Sequence, residues 1–365
     1  MSPAEPTAPR LCDEVRAPGA VLAVPGDIMT RTGGYLYCRR LLEALRALHR
    51  EVAHLALGPS FPDPTPPDMQ AAAACLAAVP AGSPVIIDGL AMGAMDRTVL
   101  TGISAPIIAL VHHPLAHEIG LSPGRRDHLY RTERENLALA AHIIVTSPHT
   151  AALLASEYGV ASARITVARP GTDRPSGTAS KIDPPLILAV GIQVPRKGHD
   201  VLLHALAQLA DRPWQAVIAG AALDASYAAR LSRLRTELDL SKRVRLAGGL
   251  PDATLARLYG QAGLFALATR YEGYGIVFDE AMAHGLPIVT CATGAVADTV
   301  APGAGLLVPP DDPTAFAEAL VRVLDEKATR VAMAAASASA GQSLPGWGET
   351  ARCVADVLDR VAAGC

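Results

Sequence analysis

The chain has few lysines, few aromatics and no long apolar run. Aromatic residues make up 4% of its 365 positions, and its lysines are Lys181, Lys197, Lys242 and Lys327, so nearly all positive charge is arginine. With alanine so abundant, that bias reads as genome composition rather than chemistry. The formal net charge is −3, and a balance so near neutral argues against a protein that coats nucleic acid. Every apolar run is broken by Pro, Gly or charge well short of the ~18 residues of a membrane span. The first residues, MSPAEPTAPR, carry no apolar signal core. A soluble cytoplasmic protein, at most peripheral to a membrane, is expected. Cys12, Cys38, Cys75, Cys291, Cys353 and Cys365 are scattered, without a Cys-x-x-Cys pair or a His/Cys cluster at metal spacing. Reduced, mostly buried thiols are the expectation. The absence of G-x-G-x-x-G and of G-x-x-x-x-G-K-[ST] counts against nicotinamide-cofactor and P-loop readings.

Half the residues are hydrophobic, and the length suggests two domains of ordinary size. Short apolar runs alternate with helical patterns. In the first half they are Ala20 to Pro25, Val52 to Leu57, Val85 to Asp88, Ile107 to Val111, Ile143 to Thr146 and Ile165 to Ala168. After residue 185 they resume at Leu186 to Gly191, Ala216 to Ala219, Val244 to Ala247, Leu264 to Ala268, Ile288 to Cys291 and Leu306 to Val308. Continuous apolar strands alternating with helices imply parallel, doubly wound sheets, with ligands beyond the carboxyl ends of the strands. Between the halves lies RPGTDRPSGTASKIDPP, rich in Pro, Gly, Ser and Thr, a domain boundary. The expected division is a disordered start over 1–18, an N-terminal domain over 19–170, a linker over 171–185, a second domain over 186–345 and a final helix over 346–365. The helix expected over Ser122 to Ala140, capped by Ser122 with Pro123 in its first turn, mixes Arg125, Arg126, Arg131 and Arg134 with Asp127, Glu133 and Glu135, the pattern of a solvated face.

One stretch organises the rest: Thr269 to Pro287, TRYEGYGIVFDEAMAHGLP. A strand ends at Ala268, Gly273 and Gly275 mark a loop, and a helix is expected from Ile276 to His284. Glu272 falls in the loop and Glu280 on the helix. A fully helical interval would put their Cα atoms ~12 Å apart, too far for the carboxylates to share a proton. The spacing suits one extended ligand with hydroxyls at both ends and an anionic middle facing the free N–H groups of the helix start. A nucleotide sugar has that layout. Taken singly, each Glu is equally a solvated charge at a helix start. Arg196 and Lys197 fall in the loop feeding the helix expected over Asp200 to Leu209, where two cations beside free N–H groups make a diphosphate site. Gly33 and Gly34 open the helix expected over Tyr35 to Arg50, either as turn residues or to let backbone approach a phosphate. His112 and His113 end the run Ile107 to Val111, one on each side of its sheet by alternation.

YEGYGIVFDEAMAHGLPIV resembles the Glu-x7-Glu signature of the family 4 retaining glycosyltransferases, whose fold is called GT-B: two Rossmann-like parallel-sheet domains facing a central cleft. The resemblance covers nearly the whole chain and is strongest from Leu186 to Pro310. It implies that the N-terminal domain takes the acceptor and the second domain the nucleotide-sugar donor, and that a final helix, here Trp347 to Val361, crosses back onto the N-terminal domain. VHHPLAHE is similar to the family's strand-end histidine near the reacting sugar, which makes His112 a candidate catalytic residue, with His113, His117 and Glu118 on the acceptor side. Lys197 and Gly198 match the donor-phosphate loop, but the family's earlier arginine is missing, Ile192 and Gln193 standing in that neighbourhood: either Arg196 substitutes for it, or phosphate binding is weaker, or the two loops align one residue apart. LAGGLPDATLARLYGQA looks like the segment that meets the nucleotide base, near Gly248, Leu250 and Pro251.

The function so implied is a metal-independent glycosyltransferase that moves a sugar from a nucleotide-diphosphate sugar to an unknown acceptor (glycan, lipid or small molecule) with retention. Its expected catalytic set is His112, Glu272, Arg196 and Lys197. Its expected donor-binding set is Gly33, Gly34, Gly191, Leu250, Gly273, Tyr274, Gly275, Ile276 and Glu280. No Asp-x-Asp is evident, and neither a metal nor a further cofactor is expected. Two alternatives stand beside it. A nucleotide-sugar epimerase of the same fold needs an acid and base flanking the sugar, and no acid is evident as a partner for His112. A degenerate nucleotide-sugar-binding subunit is motivated by the missing arginine.

Overall fold

The structure is a computed structural model that describes residues 19–175, 177 and 180–364. The N-terminal stretch 1–18, with Cys12, and the terminal Cys365 lie outside the described residues. Twelve strands form: β1 Ala20–Pro25, β2 Val52–Leu57, β3 Val85–Asp88, β4 Ile107–Val111, β5 His142–Val145, β6 Ile165–Val167, β7 Leu186–Val190, β8 Gln215–Ala219, β9 Val244–Gly248, β10 Leu264–Leu267, β11 Ile288–Cys291 and β12 Gly305–Val308. They build two six-stranded sheets, ordered β2-β1-β3-β4-β5-β6 and β12-β11-β10-β7-β8-β9, and every pairing is parallel. This is the architecture of two Rossmann-like domains.

The central strands are apolar throughout because both their faces are covered. Every residue of β1, β3, β4 and β7 is buried. Alternation then sorts them: Val21 and Ala23 join one core layer, while Ala20, Leu22 and Val24 join the other. That second layer is closed by the last helix, Trp347–Ala363, whose Trp347, Ala351, Val354 and Leu358 pack with Leu41 and Leu45 of the helix Gly33–Ala47. Arg50 adds a two-pronged ion pair to Asp359, 2.7 and 2.6 Å. The chain crosses between domains twice at one place: Thr172 N–H donates to Pro345 O at 2.8 Å, and Thr350 Oγ1 to Arg169 O at 2.8 Å.

Both sheets reverse their winding direction where the site is built. In the first sheet the reversal lies between β1 and β3, in the second between β7 and β10. At such a point the connections leave to opposite sides and open a crevice beyond the strand ends. The residues following β1, β3 and β4 face those following β7 and β10 across one cleft.

Some expected bounds shift. The first helix runs Gly33–Ala47 and stops early, with His49 in the left-handed region (φ 59°). The helix Pro123–Leu137 keeps Ser122 as its cap, the Ser122 side chain accepting from Arg125 N–H. Its expected solvated face is corrected at one position. Glu133 is 1% exposed and accepts from Leu115 N–H at 2.9 Å, so the helix holds the segment after His113 from below. Burial pushes the Glu133 carboxyl up to about 8, against the pull of that hydrogen bond. Of the described thiols, Cys38 and Cys291 are buried, and Cys75 and Cys353 only partly so. Among the described residues no helix is long and apolar enough to cross a membrane.

Candidate active site

The cleft has a volume of about 480 Å³, within the range of small-molecule sites. Its C-terminal wall starts at β10. Thr269 and the loop to Gly275 lead into the helix Ile276–Ala283, whose cap, Gly275, sits at φ 90° and makes no side-chain hydrogen bond to the helix start. A β-carbon at Gly275 would lie 2.6 Å from the Phe278 ring, so only glycine turns the chain this tightly into the helix. The first N–H groups are left without a side-chain cap beside the cleft, where Gly275, Ile276 and Val277 are all lining residues.

Glu272 is buried, 4% exposed, and ion-paired. Lys197 Nζ reaches its Oε1 at 2.6 Å, Thr269 Oγ1 donates to the same oxygen at 2.9 Å, and Arg196 NH1 stands 3.7 Å from Oε2. Burial alone would raise this carboxyl, but the two cations and the hydrogen bonds outweigh it and hold it below the usual carboxylate range. Burial likewise pulls the Lys197 ammonium down, with Glu272 opposing. The loop carrying both cations is drawn to the end of β10 by Gly198 at φ 61°, where a β-carbon would collide with Ala268 O at 1.8 Å. Arg196 also bonds Glu118 Oε1 at 3.1 Å and Tyr271 O at 3.1 Å. Neither cation is free: each is already committed to a carboxylate. Gln193, in the neighbourhood of the missing arginine, is buried and donates to Gly220 O at 3.2 Å.

Glu280, one turn into the helix, lines the cleft and accepts from Tyr259 OH at 2.6 Å. Burial pushes its carboxyl up to about 7 in spite of that bond. Its neighbour Asp279 is 1% exposed and takes the Tyr274 hydroxyl at 2.5 Å, so Tyr274 lines the cleft with its ring while its OH is turned away. Arg270, despite its place in the loop, points out to Asp200 and Asp311 and serves to fix the loop.

The N-terminal wall is assembled from separate elements. His112 follows β4, and its Nε2 lies 3.3 Å from Oδ2 of Asp88, the last residue of β3. Cys38 of the helix Gly33–Ala47 lies 3.5 Å from the same oxygen and 3.9 Å from Nε2. Tyr37 meets the His112 ring edge-on at 5.3 Å. Gly34 allows this closeness, since a β-carbon there would lie 3.3 Å from His112 Cδ2. His113 points the other way, to Glu118 at 3.3 Å. His113 and Arg196 hold Glu118 at about 2 against the upward push of its burial. His117 pairs with Glu157 at 3.3 Å, outside the cleft lining.

The two walls touch. Tyr271 inserts among His113, His117 and His149, ring centroids 5.7, 6.0 and 6.2 Å away. A β-carbon at Gly273 would stand 2.2 Å from the His112 carbonyl oxygen, and Thr150 Oγ1 lies 3.4 Å from Gly273 O. At the other end, the Arg31 guanidinium donates to Leu250 O. The cleft lining brings together His112, Glu272, Arg196, Lys197, Gly33, Gly34, Gly191, Leu250, Gly273, Tyr274, Gly275, Ile276, Glu280, His113 and Glu118. Sequence reasoning missed Asp88, Cys38 and Tyr271. Asp88 carried a signal, being the polar end of an otherwise apolar strand, VIID, beside the one that ends in His112.

Comparison with known proteins agrees with this geometry. Residues 174–339 match the family described as "Glycosyl transferases group 1". The chain is 33% identical over 232 residues to a D-inositol 3-phosphate glycosyltransferase of Kineococcus radiotolerans, covering 56% of this chain and 53% of that protein. It is 32% identical over 259 residues to a GDP-mannose-dependent monoacylated alpha-(1-6)-phosphatidylinositol monomannoside mannosyltransferase of Corynebacterium glutamicum, covering 64% of each. The alignments thus span about half to two thirds of these relatives. Among solved structures, the sucrose-phosphate synthase of Thermosynechococcus elongatus superimposes with a TM-score of 0.79 at 23% identity, over 95% of this chain and 100% of that one. HepE of Anabaena, in complex with UDP-glucose, gives 0.73 at 18%, over 93% and 99%. The chain has the GT-B fold, and residues 174–339 within it are similar to the glycosyl transferases group 1 family.

Proposed function

We propose that the protein is a retaining, metal-independent glycosyltransferase of family 4 that takes its sugar from a nucleotide-diphosphate donor. The observation that carries this reading is the arrangement around the helix Ile276–Ala283: a buried, doubly ion-paired Glu272 just before its uncapped start and Glu280 one turn along it, both on the cleft. In the proposed complex the diphosphate lies at the N–H groups of Gly275 and Ile276 with Lys197 and Arg196 beside it. Glu272 receives hydroxyls of the donor sugar, and Glu280 receives the ribose hydroxyls.

In the proposed reaction the bond from the anomeric carbon to the diphosphate oxygen breaks, the leaving group keeping the electron pair. The acceptor hydroxyl oxygen bonds to the same face of that carbon and its proton passes to the departing phosphate. Charge grows on the diphosphate as the bond breaks, so cations and N–H groups fixed in a water-poor cleft stabilise the transition state more than the ground state. His112, held by Asp88, faces the sugar from the opposite wall and orients it.

The test is to incubate the purified protein with the UDP, GDP, ADP and dTDP sugars, with and without Mg²⁺, following nucleotide release and thermal shift. Acceptors would include an inositol phosphate and a phosphatidylinositol, the classes in the relatives' names. A donor at a hundredfold excess over Kd stabilises the fold by ~2.7 kcal/mol. One nucleotide series that shifts the melt, is consumed without metal and loses both effects in Glu280→Ala supports the reading. A folded protein that binds none of them, or releases nucleotide only with Mg²⁺, overturns it.

A further inference from the structure

Three potential ligands converge on the N-terminal wall of the cleft from three different elements. Cys38 lies on the helix Gly33–Ala47, Asp88 ends β3 and His112 follows β4. Cys38 is fully buried, Asp88 is 3% exposed, and the His112 side chain retains a fifth of its surface. The atoms Cys38 Sγ, Asp88 Oδ2 and His112 Nε2 form a triangle with sides of 3.5 Å (S to O), 3.9 Å (S to N) and 3.3 Å (N to O). Zinc bonds of about 2.3 Å to sulfur and about 2.0 to 2.2 Å to nitrogen and oxygen, at tetrahedral angles, set those separations at about 3.6, about 3.6 and about 3.4 Å.

We propose that Cys38, Asp88 and His112 form a binding site for a divalent transition metal of the zinc type, three protein ligands with a fourth position open to the cleft. The donor set selects the class. A thiolate with an imidazole favours zinc or cobalt over magnesium or calcium, which take oxygen ligands. Charge supports it too. Thiolate and carboxylate together neutralise a divalent ion, whereas without one Asp88 has as bonded neighbours, among the described residues, Leu90 N–H, the weak S–H donor of Cys38 and the imidazole. A buried carboxylate that lacks a strong partner is costly. The Leu90 N–H bond to Oδ1, 3.0 Å, turns the other oxygen toward the site, the orienting role that outer hydrogen bonds play at metal centres. Gly34, with no side chain beside His112 Nε2, leaves the approach from the cleft clear.

Binding is balanced by one proton: the divalent ion displaces the thiol hydrogen, a metal–sulfur bond forms, and the proton passes to solvent. The site is apart from the diphosphate subsite at Arg196 and Lys197 and rests on the geometry of the wall, not on the transferase reading. A bound ion occupies Nε2 of His112, so the metal-loaded protein lacks the free imidazole that orients the sugar in the proposed, metal-independent reaction.

The experiment is an anaerobic titration of chelator-treated, full-length protein with Co²⁺, read by the thiolate-to-cobalt charge-transfer band in the near ultraviolet, followed by displacement with Zn²⁺. The expected result is one equivalent of cobalt bound with that band and released by zinc. Cys38→Ser should abolish the band and Asp88→Asn weaken binding by more than about a hundredfold, with circular dichroism confirming the fold of each variant. Cys291→Ser, on the other domain, should bind as the parent does. Absence of the band in the parent protein, or a band that survives Cys38→Ser, overturns the site. Nucleotide-induced thermal shift, measured on the same samples, reports the donor site separately, so failure of either reading leaves the other standing.

Discussion

The two walls of the cleft are built on different principles. The C-terminal wall is a local device: one loop and one helix within a dozen residues carry Glu272, an uncapped helix start and Glu280, and the two cations that serve them lie in a single adjoining loop. The N-terminal wall has no such unit. His112, Asp88 and Cys38 come from three elements and meet only because parallel strands β3 and β4 end side by side under the first helix. The first wall depends on buried charge that is fully paired; the second depends on how closely backbone can approach. Disturbance of the first should therefore show as lost electrostatics, and disturbance of the second as lost geometry.

The largest effect should come from Lys197→Met, which removes the closest cation from both Glu272 and the proposed diphosphate. The turnover number should fall on the order of 10³-fold, the scale of losing one stabilising group at a developing charge. The same variant should change the sign of a pH effect. In the parent protein Glu272 is held below its ordinary value, so its stabilising contribution is present above that value and is lost as pH falls through the folded one. In Lys197→Met burial is opposed only by Arg196 and the Thr269 hydrogen bond and the carboxyl should shift above its ordinary value, so stability from this group should decline as pH rises through the mildly acidic range. Melting temperature measured between about pH 4 and 7 distinguishes the two slopes. An unchanged acid limb would mean that Arg196, not Lys197, governs Glu272.

Gly273→Ala tests the contact between the walls. A β-carbon there would stand 2.2 Å from His112 O and 2.9 Å from His113 Cβ, and backbone at that distance has to move apart. Transfer should fall roughly a hundredfold, the cost of misplacing reacting groups by about 1 Å. Nucleotide binding, which the proposed complex places on the C-terminal wall, should persist in thermal shift. Loss of both together would show that the walls are not separable.

Glu280 carries a smaller and pH-dependent effect. Glu280→Ala should raise donor KM about tenfold with little change in kcat, the signature of binding energy used equally in ground and transition states. Because burial lifts this carboxyl to about 7 and ribose hydroxyls donate best to the ionised form, donor KM in the parent should fall as pH rises through about 7. In Glu280→Gln that dependence should disappear. A larger fall in kcat than rise in KM would remove Glu280 from the ribose role.

Legibility in the sequence divides along the same line. Glu272, Glu280, Gly275 and the cation loop could be found because helix rise and strand end fix their separation within one short stretch. The central strands could be found because burial on both faces favours continuous apolar runs. Cys38 and Asp88 stood 50 positions apart and met no spacing rule, so one read as a scattered thiol and the other as the end of a strand. Glu133 was misread for a related reason: in a row of mixed charges only the third dimension shows that one of them faces inward to Leu115 N–H. The commitment of Arg196 to Glu118, 78 positions earlier, likewise depends on the closing of one domain on the other.

Tyr259→Phe should give the smallest effect and separates support of the donor site from the site itself. Its hydroxyl donates to Glu280 at 2.6 Å, and its ring stacks between Phe265 and His284, centroids 6.0 and 5.3 Å away. Phenylalanine keeps the stacking and removes one hydrogen bond to a carboxylate, worth about 1 kcal/mol or a little more. That bond favours the ionised form, so without it the Glu280 carboxyl should move further up and the pH at which donor KM improves should move with it. A several-fold rise in KM at neutral pH, shrinking as the solution is made more alkaline, is the expected pattern. A KM defect that persists at high pH would mean that Tyr259 positions the Glu280 side chain rather than tuning its charge, and the C-terminal wall would then depend on geometry as much as the N-terminal one.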